Sequence, residues 1–143
     1  MENLSSIVFY TIDKSIKSYR QYAQKQLKAA GFELTIDQWL VLKSIEEDSE
    51  AKQQDIAEKA FKDVASITRI IELLVQKEYL SREFHTSDRR RFKLLLTKKG
   101  NETLKTMQPY IKNNRSKALE GISPEELTEI NKILLKIIKN VTK

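Results

Sequence analysis

The side chains in this chain with the strongest chemical character are arginines. Arg89, Arg90 and Arg91 follow one another directly; Asp88 precedes them, and Lys93, Lys98 and Lys99 come shortly after. A guanidinium stays charged at any physiological pH and presents a fork of N–H donors that matches a phosphate or the O6/N7 edge of guanine. The net charge of +6 points the same way, towards a polyanionic partner. Other chemistries lack their groups. There is no cysteine, which excludes disulfides and thiol redox sensing by this chain alone. His85 is the only histidine, so neither a multi-histidine zinc site nor a histidine pair can form; a carboxylate site for a harder metal stays open, but nothing marks one. The glycines, at 31, 100 and 121, are too scattered for a phosphate-cradling loop. The sequence therefore offers no catalytic residue, no metal site and no cofactor site, and an enzyme is its poorest reading.

A run of charge is usually only a solvated face, so its meaning depends on the elements that carry it. Leu80, Arg82 and Phe84 alternate with Ser81, Glu83 and His85, and Phe92, Leu94 and Leu96 alternate with Arg91, Lys93 and Leu95, which predicts two paired strands with the arginines at the tip. Upstream, Asp63 stands where an N-cap belongs. Val64, Ile67, Ile70, Ile71, Leu74 and Val75 recur at spacings of three and four, predicting one buried helical stripe. Ala65, Ser66, Thr68 and Arg69 fall off that stripe and are expected to be exposed near the helix N-terminus. Taken alone, this is an ordinary amphipathic helix. Preceded by a short helix over Lys52 to Lys59 that packs Ile56, Ala57 and Ala60, it reads as a helix-turn-helix, whose second helix enters the DNA major groove. A hairpin tipped with arginines directly after it can reach the adjacent minor groove.

These residues carry a family resemblance. Ile56-Ala57, Ile67-Thr68-Arg69, Leu73 or Leu74, Lys77, Leu80, Arg82, Asp88-Arg89-Arg90 and Leu96-Thr97-Lys98-Lys99-Gly100 fall in sequence without insertion. Together they resemble the winged helix-turn-helix of the MarR (multiple antibiotic resistance regulator) family. Upstream, Leu34-Thr35, Gln38-Trp39 and Leu42 look like the family's second helix. The resemblance implies a mainly α fold with a small β-hairpin wing and long N- and C-terminal dimerisation helices. It implies one MarR-like domain over 1–143, with the winged helix-turn-helix at 35–100 and dimerisation helices at 1–34 and 101–143. It also implies a homodimeric transcriptional regulator, in the first instance a repressor, that binds a palindromic operator in double-stranded DNA and is released by a small ligand. Ala65, Ser66, Thr68 and Arg69 would be the recognition-helix contacts, and Asp88, Arg89, Arg90 and Arg91 the wing contacts, with Arg90 in the minor groove and Asp88 holding it. The competing reading is a winged-helix protein-interaction module that does not bind DNA. Three residues depart from the family pattern. Phe61 stands where the turn often has glycine, Lys62 fills a usually apolar slot, and Glu78 replaces the glycine that commonly ends the recognition helix. A bulky residue disfavours positive φ, so a different turn geometry is expected at Ala60–Lys62.

The remaining stretches read as supports. Residues 3–30 are predicted as one long helix, with Leu4, Val8, Ile12, Ile16, Tyr19, Ala23 and Leu27 on one side and Phe9, Tyr10 and Tyr22 widening the apolar face, which asks for two partners. Gly31 is a plausible stop. Thr35 and Gln38 fit a capping box opening a helix over 36–47. Thr97 caps a helix running to about Leu119, with Pro109 expected to kink it. Ser123-Pro124-Glu125-Glu126 opens the last helix, whose stripe is Leu127, Ile130, Leu134, Ile137, Ile138 and Val141. Trp39, the only tryptophan, reads first as core; with Tyr10 and Met107 it forms a candidate pocket for the small aromatic or amphipathic effector the resemblance implies. At 143 residues the chain is one domain by size. No apolar run approaches the ~18 residues of a membrane helix, so no membrane partner is expected. No signal peptide is seen at the N-terminus, and a cytoplasmic location is the expectation.

Overall fold

The structure, a computed structural model, describes residues 2–84 and 92–142. The elements run α1 (Val8–Ala29), α2 (Ile36–Glu47), α3 (Gln53–Ala60), α4 (Val64–Gln76), β1 (Leu80–Phe84), β2 (Phe92–Leu96), α5 (Lys98–Ala118) and α6 (Pro124–Val141). Each start follows from local chemistry. The Gln38 N–H donates to Thr35 Oγ1 at 3.1 Å and the Thr35 N–H to Gln38 Oε1 at 3.0 Å, closing the capping box of α2. The Ser66 N–H donates to Asp63 Oδ1 at 2.7 Å at the head of α4. The Gly100 N–H donates to Thr97 Oγ1 at 3.0 Å at the head of α5, and Ser123 and Glu126 cap α6 reciprocally.

The strands pair antiparallel, Leu80 opposite Leu96 through Phe84 opposite Phe92. The protein is thus mainly α with a two-stranded hairpin. The core lies where α2, α3, α4, the hairpin and the head of α5 meet: Val41, Leu42, Ile45, Ile56, Ile67, Ile71, Leu74, Leu80, Leu94 and Leu104 are buried there, with Leu27 and Leu34 beside them. Residues 85–91, which include Asp88, Arg89, Arg90 and Arg91, lie outside the described residues.

Several expectations are corrected. The N-terminal segment is not one helix: a 3-10 turn over Leu4–Ser6 precedes α1, with Ile7 extended between them (φ −91°, ψ 115°). The Ser6 hydroxyl donates to the Asn3 carbonyl at 2.7 Å, a local bond that competes with helix continuation. The helix-turn-helix turn keeps the left-handed geometry in spite of its residue: Phe61 sits at φ 56°, ψ 43°, as Glu78 does at φ 67° after α4. The Lys62 N–H donates to the Ala57 carbonyl at 2.9 Å and the Tyr79 N–H to the Leu74 carbonyl at 2.9 Å, so each turn satisfies a helix-end carbonyl in exchange for backbone strain. α5 runs through Pro109 without a break. Pro109 and Lys105 both face solvent, so the carbonyl freed by the missing N–H can bond water, while Leu104 and Met107 hold the helix to the core. The stripe of α6 is only partly covered within the chain: Leu127, Leu134 and Ile137 are half-buried, none of its residues is fully buried, and Ile130, Ile133, Ile138 and Val141 are exposed.

Candidate functional site

α4 turns Ile67, Ile71 and Leu74 into the core, and its outer face carries Ala65, Arg69 and Glu72. Val64, assigned to the buried stripe by its spacing, is instead exposed at 45%, while Ile67, one turn on, is fully buried. Ser66 and Thr68 are half-buried rather than exposed. Thr68 Oγ1 lies 2.8 Å from Gln53 Oε1 on α3 and 2.9 Å from the Val64 carbonyl, so this hydroxyl joins the two helices of the motif. Arg69 is exposed, with its guanidinium 3.4 Å from Ser66 Oγ. The Ser66 N–H and hydroxyl, both donating to Asp63, hold that carboxyl below the usual carboxylate range. Of the recognition-helix residues singled out in the sequence, Ala65 and Arg69 are thus open to a partner, whereas Ser66 and Thr68 are tied into the motif.

The hairpin is fixed against this helix. Arg82 on β1 is ion-paired with Glu72 on α4, and Lys93 on β2 lies 3.6 Å from Glu50. The end of α4 is in turn bound to the head of α5. Thr97 Oγ1 donates to the Glu78 carbonyl at 2.6 Å, the Thr97 N–H to the Tyr79 carbonyl at 3.1 Å and Lys99 Nζ to the Lys77 carbonyl at 2.8 Å. A Cβ on Gly100 would stand 2.3 Å from the Tyr79 carbonyl oxygen, so glycine alone permits this approach. Tyr79 donates to Glu33 at 2.7 Å, and burial together with this carboxylate pushes its phenol up to about 12. The orientation of α4 is therefore set by groups at both ends, at the turn before it and at the helix after it.

Residues 34–92 match the MarR family model. The match falls on the winged helix-turn-helix part of the chain and supports the resemblance read from the sequence. Solved structures share the whole fold. A Listeria innocua protein of unknown function is 26% identical at a TM-score of 0.71, covering 94% of this chain and 93% of its own. BpsR of Bordetella bronchiseptica, whose DNA binding is regulated by 6-hydroxynicotinic acid, is 20% identical at 0.86, covering 100% and 99%. A mutant MarR of E. coli complexed with operator DNA is 18% identical at 0.80, covering 89% and 90%.

The chain also holds a cleft of ≈ 250 Å³ between α1, α2 and α5. Tyr19, Ala23, Trp39 and Ile111 form its apolar wall, and Arg20, Asn114 and Arg115 its polar groups. The three residues proposed from the sequence as an effector pocket are not brought together. Trp39 lines the cleft, Met107 is fully buried in the core, and Tyr10 lies on the exposed face of α1 outside the lining. The residue missed was Asn114. It is 5% exposed, and its amide nitrogen has no hydrogen-bond partner among the described residues. A signal for it existed: Leu104, Met107, Ile111 and Asn114 step by three and four, so a polar residue continues the apolar stripe of α5. Also unread were Gln53, the Glu72–Arg82 pair, and a chain of charges running from Arg20 through Asp37 to Lys62.

Among the described residues no helix is long and apolar enough to cross a membrane.

Proposed function

We propose that this chain is a homodimeric repressor that lays α4 of each protomer into successive major grooves of a palindromic operator and is released by a small aromatic acid. The observation that carries the reading is the outer face of α4: Arg69 and Ala65 stand open near its N-terminus while Glu72, one turn on, is clamped by the hairpin. Such a face offers a base-reading arginine on a helix whose tilt is already fixed, which limits the ordering cost of binding. The exposed stripes of α1 and α6 supply the dimer surface, and the cleft beside Trp39 supplies the effector site. A carboxylate suits Arg20 and Arg115, and an acceptor atom suits the unpartnered Asn114 amide. That BpsR responds to 6-hydroxynicotinic acid and MarR binds operator DNA supports this reading by likeness of fold.

Selection from a random duplex library tests it. The expected outcome is a two-fold symmetric motif with half-sites about one helical turn apart. Arg69→Ala is expected to relax the preference at one base pair, costing about 1–3 kcal/mol of discrimination. Selection of an asymmetric site removes the dimeric reading, and no duplex binding at low salt leaves the protein-interaction module in its place.

A further inference from the structure

Asp37, in the first turn of α2, divides its carboxylate between two cations. Its Oδ1 lies 3.1 Å from Arg20 on α1, and its Oδ2 lies 3.1 Å from Lys62 in the helix-turn-helix turn. The two cations sit at functionally different places. Arg20 lines the cleft, beside Tyr19 and Trp39. Lys62 immediately precedes Asp63, the N-cap of α4, where a backbone phosphate would lie if that helix enters the groove. About a third of each side chain in this chain of charges is exposed, 30% for Lys62, 31% for Asp37 and 43% for Arg20, so the pairs are open to exchange yet partly shielded. The Lys62 backbone is held by its bond to Ala57, so only its side chain is free to change partners.

We propose that Arg20, Asp37 and Lys62 form an electrostatic relay through which an acid in the cleft withdraws Lys62 from DNA. The inference rests on the cleft being an effector site and on α4 meeting DNA. With the cleft empty, Arg20 satisfies half of the Asp37 carboxylate, and the hold on Lys62 is weak enough for a phosphate to compete. A carboxylate bound beside Arg20 takes that partner. Asp37 then turns its full charge on Lys62, and the phosphate loses a contact. The scheme gives the differential interaction that any coupling between two sites requires, and its sign: acid and DNA oppose one another, each weakening the other by the same factor. The relay depends on Lys62, the residue that departs from the apolar slot of the family pattern.

The simplest test needs no ligand. Affinity for the selected duplex is measured for the full chain and for Arg20→Met, Asp37→Asn and the double variant, with thermal melts confirming folding. Arg20→Met mimics the acid-bound state and is expected to weaken binding about fivefold, the low end of site-to-site couplings. In the Asp37→Asn background the same change is expected to have no effect, and Arg20→Lys, which keeps a cation beside Asp37, restores wild-type affinity. Lys62→Gln lowers the salt slope by about one phosphate contact and abolishes the Arg20→Met effect. An Arg20→Met loss that persists undiminished with Asp37→Asn or Lys62→Gln overturns the relay, since it is then only the loss of a positive charge. A second arm adds benzoate and, as its neutral counterpart, benzamide, with Trp39 fluorescence reporting occupancy. Benzoate is expected to loosen wild-type protein from the duplex and to leave Asp37→Asn bound, and benzamide to loosen neither. Equal loosening of both proteins by benzoate overturns the relay. Absence of any Trp39 response refutes the effector cleft instead, and the ligand-free cycle still decides the relay.

Discussion

Asn114 is where a single side chain says most about function. Burying an amide without a partner costs about 1–3 kcal/mol, and Asn114 carries this cost on the wall of a cleft. Asn114→Leu, which keeps the branched shape with the same number of heavy atoms and no polar ones, is expected to raise ligand-free stability by about 1 kcal/mol in denaturant melts, while weakening the binding of an aromatic acid followed through Trp39. A gain in stability with unchanged ligand affinity would make it merely a core defect. Phe61 carries strain of another kind. It is 93% exposed at φ 56°, so almost no burial offsets its left-handed backbone. Phe61→Gly relieves roughly 1–2 kcal/mol and loses some of that to chain entropy, leaving an expected gain of about 1 kcal/mol, readable as an upward shift of Tm. At the wing, Asp88 and Arg90 lie outside the described residues, and the proposal for them is tested by sign. If Asp88 orders Arg90 for the minor groove, Asp88→Ala weakens duplex binding at fixed salt even though the protein becomes more positive; if the arginines are an interchangeable cloud of charge, it strengthens binding.

Among the elements, the junction between α4 and α5 is the most tightly tied. Lys77, Glu78 and Tyr79 each give a carbonyl to Thr97 or Lys99, and the Gly100 backbone closes on them. Tyr79 anchors the same corner through Glu33. Because its phenol is pushed up to about 12 by burial and by Glu33, the folded state keeps the proton after an unfolded tyrosine would release it. The unfolded chain then binds fewer protons, so this contribution to stability is complete below about pH 10 and is lost as pH rises towards 12. Tyr79→Phe is therefore expected to show a shallower loss of stability over that window than the unmodified chain. Identical alkaline slopes for the two proteins would mean that burial and Glu33 together do not favour the neutral phenol. At acid pH the opposite sign applies to Asp63. Its carboxyl is held low by Ser66, so the stability it contributes is present above the ordinary carboxylate range and disappears as pH falls below it.

At the scale of the whole molecule, the chain leaves apolar helix faces uncovered at both termini. Val8, Phe9 and Ile16 on α1 and Ile130, Ile133 and Ile138 on α6 are each about half exposed. Single apolar side chains on a surface need no explanation, but a stripe along a whole helix with no buried residue does. A second copy of the chain is the proposed cover, and it would also set the spacing of the two α4 helices. Ile130→Asp and Ile138→Asp probe this better than changes at Leu134 or Ile137, because those two are already half-buried within one protomer. Analytical ultracentrifugation of the double variant is expected to show a folded monomer with little duplex affinity. A monomer at micromolar concentration in the unmodified chain would end the dimer proposal.

The sequence by itself determined the elements and their order. Capping residues, spacings of three and four, and two-residue alternation are local signals, written in neighbours along the chain, which is why Thr35, Asp63, Thr97 and Ser123 are legible as caps in the sequence alone. The composition and the run from Ile56 to Gly100 likewise pointed to the family. What the sequence could not supply were relations between residues distant in the chain. That Thr68 is spent on Gln53 and that Val64 is exposed depends on how α3 and α4 cross. Tyr10, Trp39 and Met107 do not line one cleft, because helical periodicity says which residues share a face, not which faces of three helices converge. Only the tertiary structure placed Trp39 beside Arg20 and Asn114, and only it ran the charge of Asp37 from that cleft to Lys62, because such contacts are fixed by the packing of whole helices.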